Sequence, residues 1–279
     1  MISRRQLIGA AASLPAAAAF GKINSNVNGV MLGVQSYSFR DRSLDQALEA
    51  MAKIGLGYCE LWSGHVEPKD AKGKEDWRKN PPLAELAKVR KKFKDAGVTL
   101  YAFNYSFRET YSDAEVENGF VIAKALGTSR ITASANVSTA ERIDRYASKH
   151  RVFVGMHNHS RIVKNEFATP DDFEAAMKGR SKYIAINLDI GHFVAANFDP
   201  VDYLSKNHQR IVTLHLKDRL RDQGDNVPFG KGQTPIKDVL ALLKKYRWRI
   251  PANIEYEYRG ADAVEEVKKC FEYCKSVIA

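Results

Sequence analysis

The stretch that decides the fold is Tyr183–Asp218, YIAINLDIGHFVAANFDPVDYLSKNHQRIVTLHLKD. It opens on a short apolar run, 183–189. Asp199-Pro200 then marks a helix over 200–208, an N-cap acceptor followed by proline at the first helical position. A second apolar run follows at 211–216. Strand, capped helix and strand form the unit of a parallel sheet, because parallel neighbours need a crossover between them.

The same unit repeats in both directions. Strands are expected at 31–39, 57–62, 98–104, 130–133, 152–158, 183–189, 211–216 and 252–257. Helices are expected at 43–54, 83–95, 113–125, 138–149, 170–178, 200–208, 235–246 and 261–277. Ser43-Leu-Asp-Gln46 is a capping-box pattern, and Thr169-Pro170 and Thr234-Pro235 repeat the N-cap and proline pair. Gly55, Gly97 and Gly127 stop helices before the next strand. Eight units predict a (β/α)8 TIM barrel, a single α/β domain over 30–279. No Gly-rich phosphate fingerprint follows the first strand to favour a doubly wound sheet.

Composition agrees with one globular domain. The chain has 279 residues, 44% hydrophobic and 27% charged, which excludes collagen, coiled coil and disorder. No apolar run reaches the roughly 20 residues of a membrane-spanning helix. The net charge of +10 would suit a nucleic-acid binder, but the basic residues read as scattered rather than striped. Three cysteines, Cys59, Cys270 and Cys274, make no disulfide scaffold. Cys270 and Cys274 read as small core residues on a helix.

Residues 1–21 stand outside the repeat. Ser3-Arg4-Arg5-Gln6-Leu7 resembles a twin-arginine signal. A soft apolar run follows from Ile8 to Phe20, and Ala17-Ala18-Ala19 offers a cleavage site. The resemblance implies export of a folded protein to the periplasm with its cofactor in place. Whether the segment is removed, leaving no membrane span, is left open.

Ionisable residues collect at the ends of four successive strands. These are Met156-His157-Asn158-His159, Asn187-Leu188-Asp189-Ile190-Gly191-His192, Leu214-His215-Leu216-Lys217-Asp218 and Ile254-Glu255-Tyr256-Glu257. In a barrel all four ends lie on the C-terminal rim, where active sites sit. Charged groups converging there cost several kcal/mol of desolvation unless paired or metal-bound. Two carboxylates and two neutral imidazoles neutralise a divalent ion. Nitrogen ligands favour Mn²⁺, Co²⁺, Zn²⁺ or Fe²⁺ over Mg²⁺ and Ca²⁺. Mn²⁺, Co²⁺ and Zn²⁺ lead, with Mg²⁺ still admitted. Two polar connections, 63–82 and 217–234, follow strands and lie on the same face.

Five segments carry a family resemblance: GVQSYSFR (33–40), GYCELW (57–62), NLDIGH (187–192), TLHLKD (213–218) and NIEYEY (253–258). With them, residues 31–278 resemble the sugar phosphate isomerase/epimerase-like branch of the xylose isomerase-like TIM barrels. Inosose dehydratases and ketose 3-epimerases are relatives there. The resemblance implies one divalent metal held by a Glu, an Asp, a His and a Glu from the fifth to eighth strands. Asp189, His215 and Glu255 match the last three, with Glu257 competing for the eighth. His157 stands where the family has its first Glu. That departure raises the weight of dehydration or elimination, because a metal-bound imidazole is a poor substitute for a carboxylate base.

The implied activity is sugar or keto-sugar isomerisation or epimerisation. A proton leaves the carbon next to a carbonyl, and the metal stabilises the enediolate. Loss of a β-substituent from the same species gives a dehydratase or lyase. Glu255 is the first expected base, with Glu257 and His159 behind it. His192 is expected to bind or protonate a substrate oxygen, and Lys217 to neutralise an oxyanion. Gln35, Tyr37, Glu60, Trp62, His65 and Asn104 are expected to line the substrate, while Phe39 and Phe103 read as barrel packing. Gly230-Lys231-Gly232 is a weak anion signal, so the expected substrate is unphosphorylated.

Two other classes compete. An apurinic-endonuclease-like metallonuclease would need three zincs and more histidines from the early strands. A non-catalytic sugar-binding barrel would not need the Asp, His and Glu positions. The expected partner is a small carbohydrate, with a sugar oxidoreductase in the same pathway and a homo-oligomer left open. No nucleic acid is expected.

Overall fold

The computed structural model describes residues 21–279. The expected signal segment therefore lies outside the described residues, apart from Gly21. A short strand, β1 (Asn26–Val27), pairs antiparallel with β2 (Val30–Gln35). The remaining strands are β3 (Tyr58–Trp62), β4 (Thr99–Asn104), β5 (Arg130–Ala133), β6 (Phe153–His157), β7 (Ile184–Asp189), β8 (Ile211–Leu216) and β9 (Ala252–Ile254). From β2 to β9 neighbours pair in parallel in chain order, and β2 pairs with β9. The sheet is thus a closed eight-stranded (β/α)8 barrel.

Among the described residues ten α-helices surround it: α1 (Leu44–Ile54), α2 (Ala71–Lys79), α3 (Leu83–Asp95), α4 (Asp113–Ala125), α5 (Ala140–His150), α6 (Pro170–Met177), α7 (Ile190–Ala195), α8 (Pro200–Asn207), α9 (Ile236–Tyr246) and α10 (Ala263–Ile278). Their starts follow the expected chemistry. Ser43 and Gln46 form a capping box, as do Thr169 and Asp172, and Asp199 accepts from Val201 N and Asp202 N. Gly55 ends α1 at φ 92°, a conformation that disfavours a β-carbon. Among the described residues no helix is long and apolar enough to cross a membrane.

Five expectations are corrected. The first strand stops at Gln35, because Gln35 Oε1 accepts from Tyr37 N–H and turns 36–39 into a 3₁₀ helix. The last strand stops at Ile254, and Tyr256 N–H turns to Ser38 Oγ, so Glu257 stands on a loop. The connection 63–82 contains α2, capped by Asp70 accepting from Gly73 N. The D-x-x-H stretch runs into α7, for which Asp189 is the cap. Thr234 does not cap α9. Its hydroxyl accepts from Arg219 N–H, and the helix begins at Ile236.

Apolar packing fills the space between barrel and helices. Phe39 and Phe103 are fully buried, and Cys59, Cys270 and Cys274 are buried and free. The barrel interior below the mouth is polar. Tyr101 Oη lies 2.9 Å from Thr213 Oγ1, and Asn253 Nδ2 donates to the same oxygen at 2.9 Å. Buried polar groups are tolerable when paired in this way.

Candidate metal centre

Strand register brings four side chains to one level. His157 on β6 is paired in register with Asn187, Asp189 on β7 with His215 on β8, and His215 with Asn253 on β9. Glu255 follows one residue after β9. His157, Asp189, His215 and Glu255 each place one donor atom within 4.8 Å of the other three. All four are buried, Asp189 completely.

The donor atoms are held but not consumed. Asp189 Oδ1 accepts from His192 N–H at 2.7 Å. His215 Nε2 lies 3.0 Å from Glu60 Oε2, so the Nε2 proton goes to Glu60 and Nδ1 faces the cluster. Asp189 Oδ2, His215 Nδ1 and Glu255 Oε2 are buried without an aligned hydrogen bond. Charged neighbours stand close to them: Lys217 Nζ lies 3.1 Å from Asp189 Oδ2 and 3.0 Å from Glu255 Oε2. Unsatisfied buried oxygens and nitrogens are costly. A divalent ion would satisfy all of them with a mixed nitrogen and oxygen set, so these residues fit a metal. Asn187 supports the same reading. Its Oδ1 is an orphan, while its Nδ2 lies 3.4 Å from His157 Nδ1. Turning the amide over would let Oδ1 accept from Nδ1–H and leave Nε2 bare for coordination.

Electrostatics separate the imidazoles. Burial pushes His157 well below its ordinary pKa, helped by His215 and His159, so it is neutral. Burial and Lys217 do the same to His192. For His215, burial opposes the charge, but Glu60 and Glu255 outweigh it and raise the pKa well above the usual value. Burial opposes the Lys217 charge too, yet Asp189, Glu255 and Glu257 hold its pKa up. Burial raises Asp189, whereas Lys217 and His215 overcome burial at Glu255 and depress it.

The other expected residues fall into two groups. His159, His192, Lys217 and Glu257 gather around the cluster. The His157, His159 and His192 rings lie 5.0–5.9 Å apart. His159 is exposed at the mouth, although protein surrounds most of its ring. Its pKa is lowered by that crowding and by Lys217. Lys217 Nζ lies 2.6 Å from Glu257 Oε2 and 3.1 Å from His192 Nε2. The early-strand residues are differently placed. Glu60 is fully buried, accepting from Gln35 Nε2, Thr132 Oγ1 and Asn253 Nδ2 as well as facing His215. It has no surface left for substrate, and Gln35 is spent on Glu60 and Tyr37. His65 is held by Ser36 Oγ and Phe39 O. Asn104 donates to Thr132. Tyr37 and Trp62 remain partly exposed and meet edge to face at 5.1 Å.

Three residues of this neighbourhood were not singled out from sequence. Asn187 shares a strand face with Asp189, two positions on, which is a usable signal. Thr132 carries no such mark. Arg219 is largely buried and donates to Ser160 Oγ at 2.9 Å and to His192 Nδ1 at 2.7 Å. Only its position in the polar connection 217–234 hinted at it.

Residues 48–277 match the sequence profile of a family described as a xylose isomerase-like TIM barrel. The chain belongs to that family. This xylose isomerase-like barrel is 22% identical to an inosose dehydratase of Mesomycoplasma hyopneumoniae strain 7448. That match covers 86% of this chain and 90% of the relative. Among solved structures it resembles the IOLI protein with a bound zinc atom, at TM-score 0.69 and 17% identity, covering 89% and 98% of the two chains. It also resembles the 3-keto-D-glucoside 4-epimerase YcjR of E. coli, at TM-score 0.68 and 11% identity, covering 88% and 99%. At these identities the structural likeness speaks for the fold.

Proposed function

We propose that this barrel is a divalent-metal-dependent isomerase or epimerase of an unphosphorylated sugar or keto-sugar. One observation carries the reading: four buried donor groups converge within 4.8 Å of one another, and the inward atoms of three of them meet only charged neighbours of the same cluster, at 3.0–3.1 Å and without an aligned hydrogen bond. Kinship with sugar-converting enzymes supports the substrate class. A bound Mn²⁺, Co²⁺ or Zn²⁺ would act as a Lewis acid toward substrate oxygens.

The chain's own residues supply the proton steps. Glu255 is occupied in the cluster, so Glu257, a quarter exposed and anchored by Lys217, takes the proton from the carbon beside the carbonyl. The electron pair moves onto the carbonyl oxygen, giving an enediolate, and the Lys217 ammonium offsets its charge. His159 stands above β6, three strands from Glu257 around the rim. A solvent proton relayed through His159 on that side inverts the carbon, with Glu257 giving its proton back to water, and return of the Glu257 proton to the neighbouring carbon isomerises the sugar. Tyr37 and Trp62 offer partly exposed ring surface for a sugar's C–H face.

A second reading, dehydratase or lyase, is favoured by His157. It places a neutral imidazole where the family resemblance implies a carboxylate. The same enediolate would then expel a β-hydroxyl or a glycosidic oxygen. A trinuclear nuclease is disfavoured: among the described residues one such metal-ligand cluster is found, and His65 is tied to Ser36 and Phe39.

The test is incubation of the metal-loaded protein in D₂O with keto-sugars and 3-keto-glycosides, followed by NMR, with Asp189→Ala as control. Deuterium beside the carbonyl without loss of water or aglycone supports isomerisation or epimerisation. Release of water or aglycone supports the second reading. Metal uptake without exchange on any substrate would point to a binding barrel. We read residues 1–21 as an export signal and a sugar oxidoreductase as the supplier of a keto-sugar. Fractionation of a tagged chain tests the former.

A further inference from the structure

The foot of the barrel, opposite the mouth, carries a feature that the reaction does not use. Over the last turn of α9 and the start of its connection to β9 the chain reads Lys244-Lys245-Tyr246-Arg247-Trp248-Arg249, and no acidic residue occurs from Val239 to Ile254. Trp248 lies in a ring stack. His208, just after α8, stacks on it at 4.2 Å and 7°, and Tyr246 at 4.9 Å and 19°. Lys245 Nζ covers Tyr246, 4.9 Å from the ring centre. Tyr246 is 51% exposed, and Lys245, Arg247 and Arg249 are exposed as well. Among the described residues none of these three cations has a carboxylate within salt-bridge distance.

Lysines at the end of a helix have an ordinary role in offsetting its dipole. That covers Lys244 and Lys245. It covers neither Arg249, beyond the turn, nor an aromatic stack built from two separate connections. Arg247 ends α9 in the left-handed conformation, φ 53°, with its N–H on Leu243 O and Lys244 O. Lys244 Nζ donates to Ile278 O. The turn is therefore anchored, and its remaining cations project from a fixed base.

We propose that this foot docks on an anionic lipid surface. Tyr and Trp edges flanked by Lys and Arg suit the headgroup level of a bilayer. The net positive charge of the chain and the acid-free run select an anionic surface over a zwitterionic one. A single-stranded nucleic acid is the weaker fit. Bases need free ring faces to stack on, and Trp248 is sandwiched while Tyr246 has Lys245 above it. The described chain also enters the barrel at this end, where Ile23 N–H donates to Gly97 O below β4. A barrel docked by its foot turns its mouth away from the lipid.

The test is co-sedimentation of the full chain with vesicles of phosphatidylglycerol and phosphatidylcholine, or phosphatidylcholine alone, beside Lys245→Glu/Arg247→Glu/Arg249→Glu. Any contribution of the apolar run at 8–20 is common to both proteins and cancels. Each basic residue near an anionic surface strengthens binding roughly fivefold. Wild type should therefore bind anionic vesicles on the order of a hundredfold tighter than the triple variant. The gap should shrink at high salt and vanish on phosphatidylcholine. Tyr246→Ser and the neutral Arg249→Gln should each weaken binding several-fold, and they serve if the triple variant does not fold. Equal binding of wild type and variants to anionic vesicles overturns the proposal. Tighter binding to an oligothymidylate than to vesicles also overturns it, and makes the foot a polynucleotide surface.

Discussion

Glu60 and His215 meet inside the barrel, with Glu60 Oε2 3.0 Å from His215 Nε2 and both side chains out of water. Gln35, Thr132 and Asn253 hold the same carboxylate from other sides. The pairing fixes the proton on Nε2 and aims Nδ1 at the cluster. Carboxylates behind metal-binding histidines typically set affinity by 10–100-fold. Glu60→Gln should therefore weaken metal binding by about that factor, read by chelator competition. Undiminished affinity would remove Glu60 from this role.

Lys217 is the shared counter-ion of Asp189, Glu255 and Glu257. Removing one member of a buried charge group costs about 3–5 kcal/mol. Lys217→Met should lose that much in the metal-free protein and recover much of it on metal addition. Denaturant melts with and without Mn²⁺ check this. A variant as stable as wild type without metal would show that the carboxylates do not need the cation.

Gly191 gives α7 its close approach to β8. A β-carbon there would stand 2.6 Å from Lys217 O and 2.8 Å from Lys217 Cβ. Gly191→Ala should cost about 1–3 kcal/mol and displace Lys217. Turnover should then fall further than metal affinity. Unchanged turnover would mean that the Lys217 position is not critical.

His65 provides a pH-dependent term away from the cluster. Burial lowers its pKa from the ordinary 6.5, against weaker opposing bonds from Phe39 and Arg42. As pH falls below about 6.5 the unfolded chain takes up the proton before the fold does. Its contribution is therefore fully present above pH 6.5 and is lost as pH falls through the folded pKa. His65→Gln should flatten the acid side of a stability-versus-pH curve. An identical slope in the two proteins would locate the acid sensitivity elsewhere.

Metal removal should also be visible globally. A ligand at 100 times its Kd stabilises by about 2.7 kcal/mol, which for a chain of this size is roughly 5–10 °C in Tm. Chelation should lower Tm by that order, and Asp189→Ala should show no metal-dependent shift. A variant that still responds to metal would place the ion away from Asp189.

Much of the architecture was legible because it rests on local rules. Period, caps and stops placed all eight barrel strands and eight of the helices. What local rules missed were elements set by single hydrogen bonds, such as the Gln35 turn that ends β2 and the Asp70 cap that starts α2. The cluster at His157, Asp189, His215 and Glu255 was visible because strand ends must share a rim. Depth along a strand was not. Glu60 and Gln35 lie at or near strand ends like the others, yet their partners draw them inward. Nothing in the one-dimensional pattern gives that distance from solvent.

The brace between two rim loops has a consequence for how this barrel changes. Arg219 reaches from the loop after β8 to Ser160 in the loop after β6, and Gln223 Nε2 donates to Ser160 O. Exchanging the loop after β6 alone takes the Ser160 hydroxyl from the buried Arg219, and exchanging the loop after β8 alone takes both Arg219 and Gln223 from Ser160. The two behave as one heritable cassette: grafting a new specificity onto this scaffold, in the laboratory or by recombination, succeeds when both segments travel together.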